Sequence, residues 1–218
     1  MERFFILDKF NTFFDWKLIL TAKDITPPEP KTNLVNIDGM SGSLDLSEAL
    51  TGEITYNDRT VSATFWTSEG TYKDRESLLK KIVTSLHGKK VKIIEPDDLD
   101  HYFIGRVIIK DSKNILPYAE FKIEATCEPW RYSNHASVRT FETNSTTIKN
   151  VIINNQGVKT LTPDIEVVGA IDIIYDNNKI SLVDGVYKIP DIRLKQGVNM
   201  IGVSGNGSVT FKYKEADL

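Results

Sequence analysis

The sequence is poor in cysteine and histidine and has no long apolar run. Its 218 residues include one cysteine, Cys127, and three histidines. A single cysteine excludes an intramolecular disulfide and is typical of a protein that folds in a reducing compartment. We interpret Cys127 as a small buried apolar residue. The aromatic N-terminal stretch is interrupted by charges and no other segment could cross a bilayer, so we expect a soluble protein made in the cytoplasm.

Motifs of common enzymes are also missing. The chain has no Gly-x-Ser-x-Gly, no His-Glu-x-x-His and no phosphate loop ending in Lys-Ser or Lys-Thr. Gly39 and Gly42 lack the first glycine of a dinucleotide-binding fingerprint, and no helical period follows them. We therefore predict that the protein is not an enzyme and has no cofactor. Because 30 residues are acidic, a chance pair of carboxylates keeps cell-wall hydrolysis as a minor alternative.

The charge balance argues against nucleic-acid binding. The formal net charge is −3, with 18 basic and 21 acidic residues before Tyr132 and nine of each from there on. Neither half is a basic module of the kind that binds a phosphate backbone.

Most of the chain reads as short strands, and one segment reads as a helix. From Asp74 to Leu86, apolar residues fall on one face, at positions 78, 79, 82, 83 and 86, which predicts an amphipathic helix packed on a sheet. We expect Asp74 to be its N-cap and Gly88 its left-handed end. The fold class is therefore mainly β, with one α-helix.

An acidic segment follows the helix. We predict strands at Lys90–Ile94 and Tyr102–Lys110, joined by a loop at Glu95–His101. Asp97, Asp98, Asp100 and His101 lie close together in this loop, but they lack the spacing of a calcium site. We interpret the loop as a solvated hairpin tip and predict no metal.

A polar stretch at residues 131–147 suggests a domain boundary. Before it, Ala119–Cys127 alternates like a half-buried strand. After it, we expect eight short strands, with tight turns at Asp176–Asn178 and Ser204–Gly207. The prediction is an N-terminal β-sandwich domain, residues 1–133, with a helix at 74–87 and a β-hairpin, and a smaller β-sandwich domain, residues 134–218.

Proline and glycine punctuate the segment from Trp16 to Thr60. Pro27, Pro28 and Pro30 cannot sit inside a paired central strand and predict a loop or a protected edge. Gly39 and Gly42 are candidates for positive φ or close backbone approach.

The order of these features resembles the N-terminal domain of the distal tail protein family of long-tailed bacteriophages. That family has a proline-rich turn with a lysine, an Ile-x-Gly-x-x-Gly-x-Leu-Asp-Leu segment and a Tyr-x-Asn-Arg-like segment, in this order. The matching positions here are Ile37, Gly39, Gly42, Leu44, Asp45, Leu46, Tyr56 and Arg59. A later Tyr-x-x-Gly-Arg-like match falls at Tyr102, Gly105 and Arg106, and Glu128-Pro129-Trp130 resembles the end of the family's first domain.

The C-terminal part resembles the second domain of the same family. The matches are Asn155-x-Gly157, Thr162-Pro163, Lys195-Gln196-Gly197-x-Asn199 and the alternation of Val209, Phe211 and Tyr213. The resemblance implies a galectin-like β-sandwich for this domain.

The resemblance implies a structural role at the phage tail tip. A homo-oligomeric ring, a hexamer in the family, would connect the tail tube protein to a hub, fibre or lysin protein below it, in a virion or prophage-derived particle assembled in the bacterial cytoplasm. We predict that the proline loop (Pro27, Pro28, Pro30) and the acidic hairpin (Asp97, Asp98, Asp100) are partner-binding surfaces. No nucleic acid or membrane partner is expected.

A carbohydrate-binding adhesion module is the alternative. A galectin-like sandwich could bind host saccharide through aromatic side chains on a concave face. The second domain offers few candidates, namely Phe141, Tyr175, Tyr187, Phe211 and Tyr213.

Overall fold

The computed structural model describes residues 4–218, so residues 1–3 of the aromatic N-terminal stretch lie outside it. The described chain is mainly β, with 59% of residues in strands and one helix. It divides into two compact units, one that extends to Arg131 and one of Tyr132–Asp217. The fold class predicted from the sequence is confirmed.

The first unit contains seven strands of an antiparallel sheet, a helix and a separate two-stranded hairpin. The elements are β1 (Ile6–Leu7), β2 (Phe10–Asn11), β3 (Ile19–Ile25), β4 (Leu34–Asn36), β5 (Ser43–Asp45), β6 (Arg59–Thr67), α1 (Tyr72–Leu86), β7 (Lys90–Glu95), β8 (Asp98–Ile115) and β9 (Tyr118–Cys127). The seven strands lie in the order β2-β1-β7-β8-β9-β6-β3. Among the described residues, β4 and β5 pair only with each other.

Alternating strands and one face of the helix make the core of the first unit. In β9 the buried residues alternate with less buried ones, as the sequence predicted. Apolar side chains from the N-terminal stretch, the sheet and α1 meet there, among them Phe5, Trp16, Phe65, Ile82 and Phe121. The amphipathic pattern of the helix therefore reflects packing against the sheet.

The helix starts earlier than its apolar spacing indicated. Thr71, not Asp74, is the N-cap, and the two residues form a capping box in which each side chain binds the other's backbone N–H. Asp74 is the third helical residue, where a carboxylate completes the box. The helix ends at Leu86 with His87 as C-cap, and Gly88 has the predicted positive φ of 77°. Val83 was placed on the buried face but is exposed.

The second unit has its own core and a five-stranded antiparallel sheet, and it also contains two short strands that pair with each other. The strands are β10 (Arg131–Ser133), β11 (Ser137–Asn155), β12 (Asp164–Tyr175), β13 (Asn178–Leu182), β14 (Gly185–Lys188), β15 (Gly197–Tyr213) and β16 (Ala216–Asp217). The sheet order is β11-β15-β12-β13, with β14 also on β12, while β10 pairs with β16. Its core includes Ile153, Ile165, Ile173, Val203 and Phe211.

Several short strands predicted here are parts of longer ones. The polar stretch at residues 131–147, where the sequence places the domain boundary, lies mostly in β11. The cross-strand partners on β15 satisfy the backbone of β11, and most side chains of residues 137–147 are exposed. The predicted strand at Ile192–Leu194 is a buried segment with a single bridge to Leu161.

The predicted turn at Ser204–Gly207 is wrong, because it lies in the middle of β15. Gly205 and Gly207 have φ of 124° and 146°, and a Cβ on either would fall within 3.0 Å of a carbonyl oxygen of β12. Gly169 on β12 approaches β15 in the same way. These glycines allow β12 and β15 to approach each other closely, and they do not form a hairpin turn. By contrast, Asp176 and Asn177 have positive φ in the predicted tight turn between β12 and β13.

Candidate partner-binding surface

The acidic segment after α1 forms a tighter hairpin than predicted. Glu95 of β7 pairs directly with Asp98 of β8, which leaves only Pro96 and Asp97 in the turn. Asp98, Asp100 and His101 therefore lie on the strand. The sequence suggested a longer loop because acidic residues are rare inside strands. In the structure, nearby basic side chains offset the negative charge of these acids.

Lys23 of β3 binds the tip of this hairpin. Its ammonium lies 2.8 Å from a carboxylate oxygen of Asp97 and also contacts Glu95. Burial alone would lower the pKa of Lys23, but the hydrogen bonds with Asp97 and Glu95 outweigh it and raise the pKa. The turn is thus tied to the strand that leads into the proline loop.

Asp98 has two basic neighbours, His101 and Arg131. His101 Nδ1 lies 2.9 Å from its carboxylate, and an Arg131 guanidinium nitrogen lies 3.1 Å away. Partial burial alone would raise the pKa of Asp98, but the hydrogen bond and charge of His101 and the charge of Arg131 lower it. Asp97 and Asp100 are exposed, whereas Asp98 is half-buried.

The proline loop is held by a buried arginine. Arg59 Nε donates to the Thr26 carbonyl at 3.0 Å and a terminal nitrogen donates to the Pro129 carbonyl at 3.2 Å. Its guanidinium lies 5.0 Å from the centre of the Phe103 ring, and burial lowers its pKa. Arg59, which occupies the arginine position of the Tyr-x-Asn-Arg-like segment, therefore fixes the start of the loop.

The three prolines differ in exposure. Pro28 is buried, whereas Pro27 and Pro30 are exposed. Pro30 forms a bridge with Tyr56, whose ring packs edge-on against Trp130 at 5.6 Å. Of the predicted partner-binding residues, Pro27, Pro30, Asp97 and Asp100 thus present open surface.

A long exposed segment starts at that bridge, and its sequence pattern does not predict a binding surface. We call residues 31–55 the arm. Backbone hydrogen bonds close its base, from Lys31 N to Thr55 O and from Asn57 N to Glu29 O, both at 2.8 Å. No residue of the arm is buried, although it contains β4 and β5. Gly39 and Gly42 adopt φ of 85° and 81° in its turn, which confirms the positive φ predicted for them.

The arm exposes apolar side chains. Leu34 is 59% and Leu50 98% exposed. The others, all at least 39% exposed, are Val35, Ile37, Met40 and Leu44. An isolated two-stranded hairpin is marginally stable in water, so such a surface is suited to a protein partner.

Within residues 4–218 there is no group of three or more His, Cys, Asp or Glu side chains able to hold a metal ion. Cys127 is buried and unpaired, and burial raises its thiol pKa to about 12. This agrees with the interpretation of Cys127 as a core residue. None of the described helices is long and apolar enough to span a membrane.

The aromatic side chains of the second unit are engaged in its core. Phe211 and Tyr213 are buried, and Phe141, Tyr175 and Tyr187 pack against the same core. One groove of this unit has a volume of about 530 Å³ and is lined by polar residues such as Asn144, Thr146, Asp172 and Asn206 and by the aliphatic side chains of Ile171, Leu182 and Val183. None of its described lining residues is aromatic, so it lacks the ring surface on which saccharides stack.

Comparison with known proteins gives a structural relative. No family model and no curated protein matches the chain, but six chains of solved structures do. One is the Dit protein (gp 19.1) of phage SPP1, described as a paradigm of the hub adsorption apparatus in phages that infect Gram-positive bacteria. The superposition has a TM-score of 0.71 and covers 97% of this chain and 98% of that one.

The chain has the Dit fold. Only 13% of the aligned residues are identical, so the likeness lies in architecture and not in side chains. It extends over both units, as the sequence resemblance to the distal tail proteins implied.

Proposed function

We propose that this protein is a structural component of a phage tail tip, a distal tail protein that self-associates into a ring. The observation that carries the proposal is the Dit fold over 97% of the chain. Fold alone does not determine function, but the exposed apolar arm and the neutralised acidic hairpin also favour a protein-binding role over turnover of a substrate.

A ring requires two different, complementary surfaces on each subunit. In our proposal the first domain, residues 1–133, supplies the ring contacts, and six copies close the ring. The tail tube protein binds on one side and a hub, fibre or lysin protein on the other. The second domain, residues 134–218, is a galectin-like sandwich in this proposal. The virion tail tip is then its location, after synthesis in the host cytoplasm.

Exposed residues of the two predicted loops are candidate contacts in this assembly. Pro27 and Pro30 flank a buried proline, so the loop presents a rigid surface. Asp97 and Asp100 project from a hairpin whose geometry is fixed by Lys23. Rigid contact residues lose little conformational entropy on binding, which suits a permanent ring.

Light scattering of the purified chain tests the proposal. We expect a particle about six times the mass of the 24.6-kDa chain. Replacing Asp97 by Asn keeps Pro96 and the backbone of the turn but removes a carboxylate at its tip, so it should reduce that mass if the hairpin tip is a contact. Asp191→Asn, at an exposed carboxylate of the second unit, is the matched control. A monomeric wild-type chain at every concentration would refute the ring.

A further inference from the structure

Two surfaces of the first unit carry opposite charge. The arm has four acidic residues and one basic residue, Lys31. The segment from Tyr72 to Lys90, which is α1 and the turn after it, has six basic and two acidic residues. This contrast lies within a single unit and not between the two units.

The charges of the helix are largely directed to solvent. Lys73, Lys80 and Lys81 are exposed on the side of α1 that faces away from the sheet. The ion pairs found among residues 4–218 include none with these three lysines. Next to them on the helix surface, Tyr72 and Val83 are 46% and 38% exposed. The surface is therefore basic with two apolar side chains at its margin.

The charges of the arm are likewise directed to solvent. Asp38 lies in the glycine turn and Glu48 follows β5, and both are exposed. Neither carboxylate has an ion pair within the described chain, whereas Asp45 is engaged by Ser47 at 2.5 Å. Of the six exposed apolar side chains of the arm, Met40 and Leu44 lie between these two acids in the sequence and the other four flank them within four residues. The arm is thus acidic and apolar where the helix is basic and partly apolar.

The two surfaces are placed to act between subunits. The base of the arm lies at the Arg59 end of β6, while α1 begins after the other end, Thr67. The nine residues of β6 span about 27 Å at the usual rise of a strand. A subunit with complementary surfaces in different places forms head-to-tail contacts, and these close into a ring when the rotation allows.

We infer that the arm of one copy docks on the exposed face of α1 of the next copy. Asp38 and Glu48 then approach Lys80 and Lys81, and apolar side chains of the arm cover Tyr72 and Val83. The inference rests on the proposed self-association and specifies its contact. Opposite charges across such a contact select the partner surface and speed the encounter.

Charge reversal with rescue tests this contact in the full chain. The helix variant K80E/K81E and the arm variant D38K/E48K should each raise the concentration at which half of the chains are assembled at least tenfold. The variant with all four changes should recover at least part of the loss, because it restores opposite charges. K149E/K195E, at exposed lysines of the second unit, changes the net charge by the same amount and sign as K80E/K81E and should assemble like wild type. Circular dichroism checks that each variant is folded.

The outcomes separate this contact from the proposed ring. If the wild type assembles and both double variants assemble equally well, the arm–helix contact is wrong while the ring stands. If the two double variants are impaired but the fourfold variant is no better, the two surfaces do not meet and the contact is also wrong. If the wild type never assembles, the ring and this contact fail together.

Discussion

At the residue scale, charged side chains hold backbone segments in place through hydrogen bonds and ion pairs. Lys23 joins β3 to the acidic turn, Arg59 holds the start of the proline loop, and Asp98 is flanked by His101 and Arg131. These contacts turn a strongly charged part of the sequence into a rigid one. The same residue types could equally have formed a solvated loop, and sequence spacing alone does not show which cation meets which carboxylate.

Asp98 should stabilise the protein in a pH-dependent way. Replacing Asp98 with Asn should reduce the free energy of unfolding by about 1 kcal/mol at pH 7, the range of a partly exposed ion pair. Because the folded state lowers the pKa of Asp98, this contribution is fully present above the unfolded pKa of about 3.9 and is lost as pH falls through the lower folded value.

Urea unfolding at pH 7 and at acidic pH measures this difference. The exposed Asp58 provides a control, since D58N removes a carboxylate of the same unit that has no ion pair in the described chain. A difference between wild type and D98N that stays constant down to pH 2 would contradict the assignment.

Cys127 should be chemically inert in the folded protein. Its thiol pKa of about 12, against about 8.5 for a free cysteine, reduces the thiolate fraction roughly a thousandfold. Labelling by a thiol reagent at pH 8 should therefore be at least a hundredfold slower in buffer than in guanidinium chloride. Equal rates would show that the thiol is accessible.

At the element scale, the helix depends on its capping box. Replacing Thr71 with Ala removes the side chain that accepts from the Asp74 backbone and should cost about 1 kcal/mol of unfolding free energy. Thr84 is an exposed residue in the same helix, and T84A should be neutral or slightly stabilising because alanine favours helices. Chemical denaturation compares the two, and equal effects would argue against the cap.

The long strands of the second unit depend on glycine. Gly205→Ala should destabilise this unit by at least about 2 kcal/mol, because strain at positive φ adds to a clash with the Ala170 carbonyl. Gly197, on the same strand, also has positive φ but nothing within 4 Å of a Cβ, so Gly197→Ala should cost only about 1 kcal/mol. Thermal unfolding should rank the variants in this order, and a reversed order would refute the close approach.

The sequence was informative where structure depends on local residues. The apolar spacing of α1, the alternation of β9 and the positive φ of Gly39 and Gly42 all follow from local chemistry, and each was predicted. The Thr71 cap was missed because the apolar period starts later than the helix. Ser204–Gly207 was misread because a turn and a bent strand use the same residues, and only the partner Gly169 on β12 distinguishes them.

The candidate surface was harder to predict. Pro27, Pro28 and Pro30 were recognised as a loop, but their sequence does not indicate that Pro28 is buried. In the arm the sequence predicts the positive φ of Gly39 and Gly42, but the exposure of the arm arises because no third strand of the described chain pairs with β4 and β5. Such information is present only in the tertiary structure.

At the scale of the whole molecule, two strand-built units share the Dit fold with little sequence in common. The two chains share this architecture although only 13% of the aligned residues are identical. Many combinations of apolar residues can fill a similar core as long as the pattern of buried positions is kept. Surface residues are free to differ, so assembly contacts must be determined for this chain itself. The acidic arm and basic helix are its own candidates for those contacts.

Assembly should depend on salt if those charges contribute. Raising NaCl from 0.1 to 1 M shortens the Debye length from about 10 to about 3 Å. We therefore expect the concentration for half-assembly to rise several-fold in wild type and to change much less in K80E/K81E. Sedimentation velocity measures both, and an identical salt response would contradict an electrostatic role for Lys80 and Lys81.

Negative-stain electron microscopy of the purified wild-type chain tests the central claim most directly. The account predicts closed rings whose top views average to six equal subunits. Fields that contain only single chains at all concentrations, or open filaments without closed rings, would contradict it.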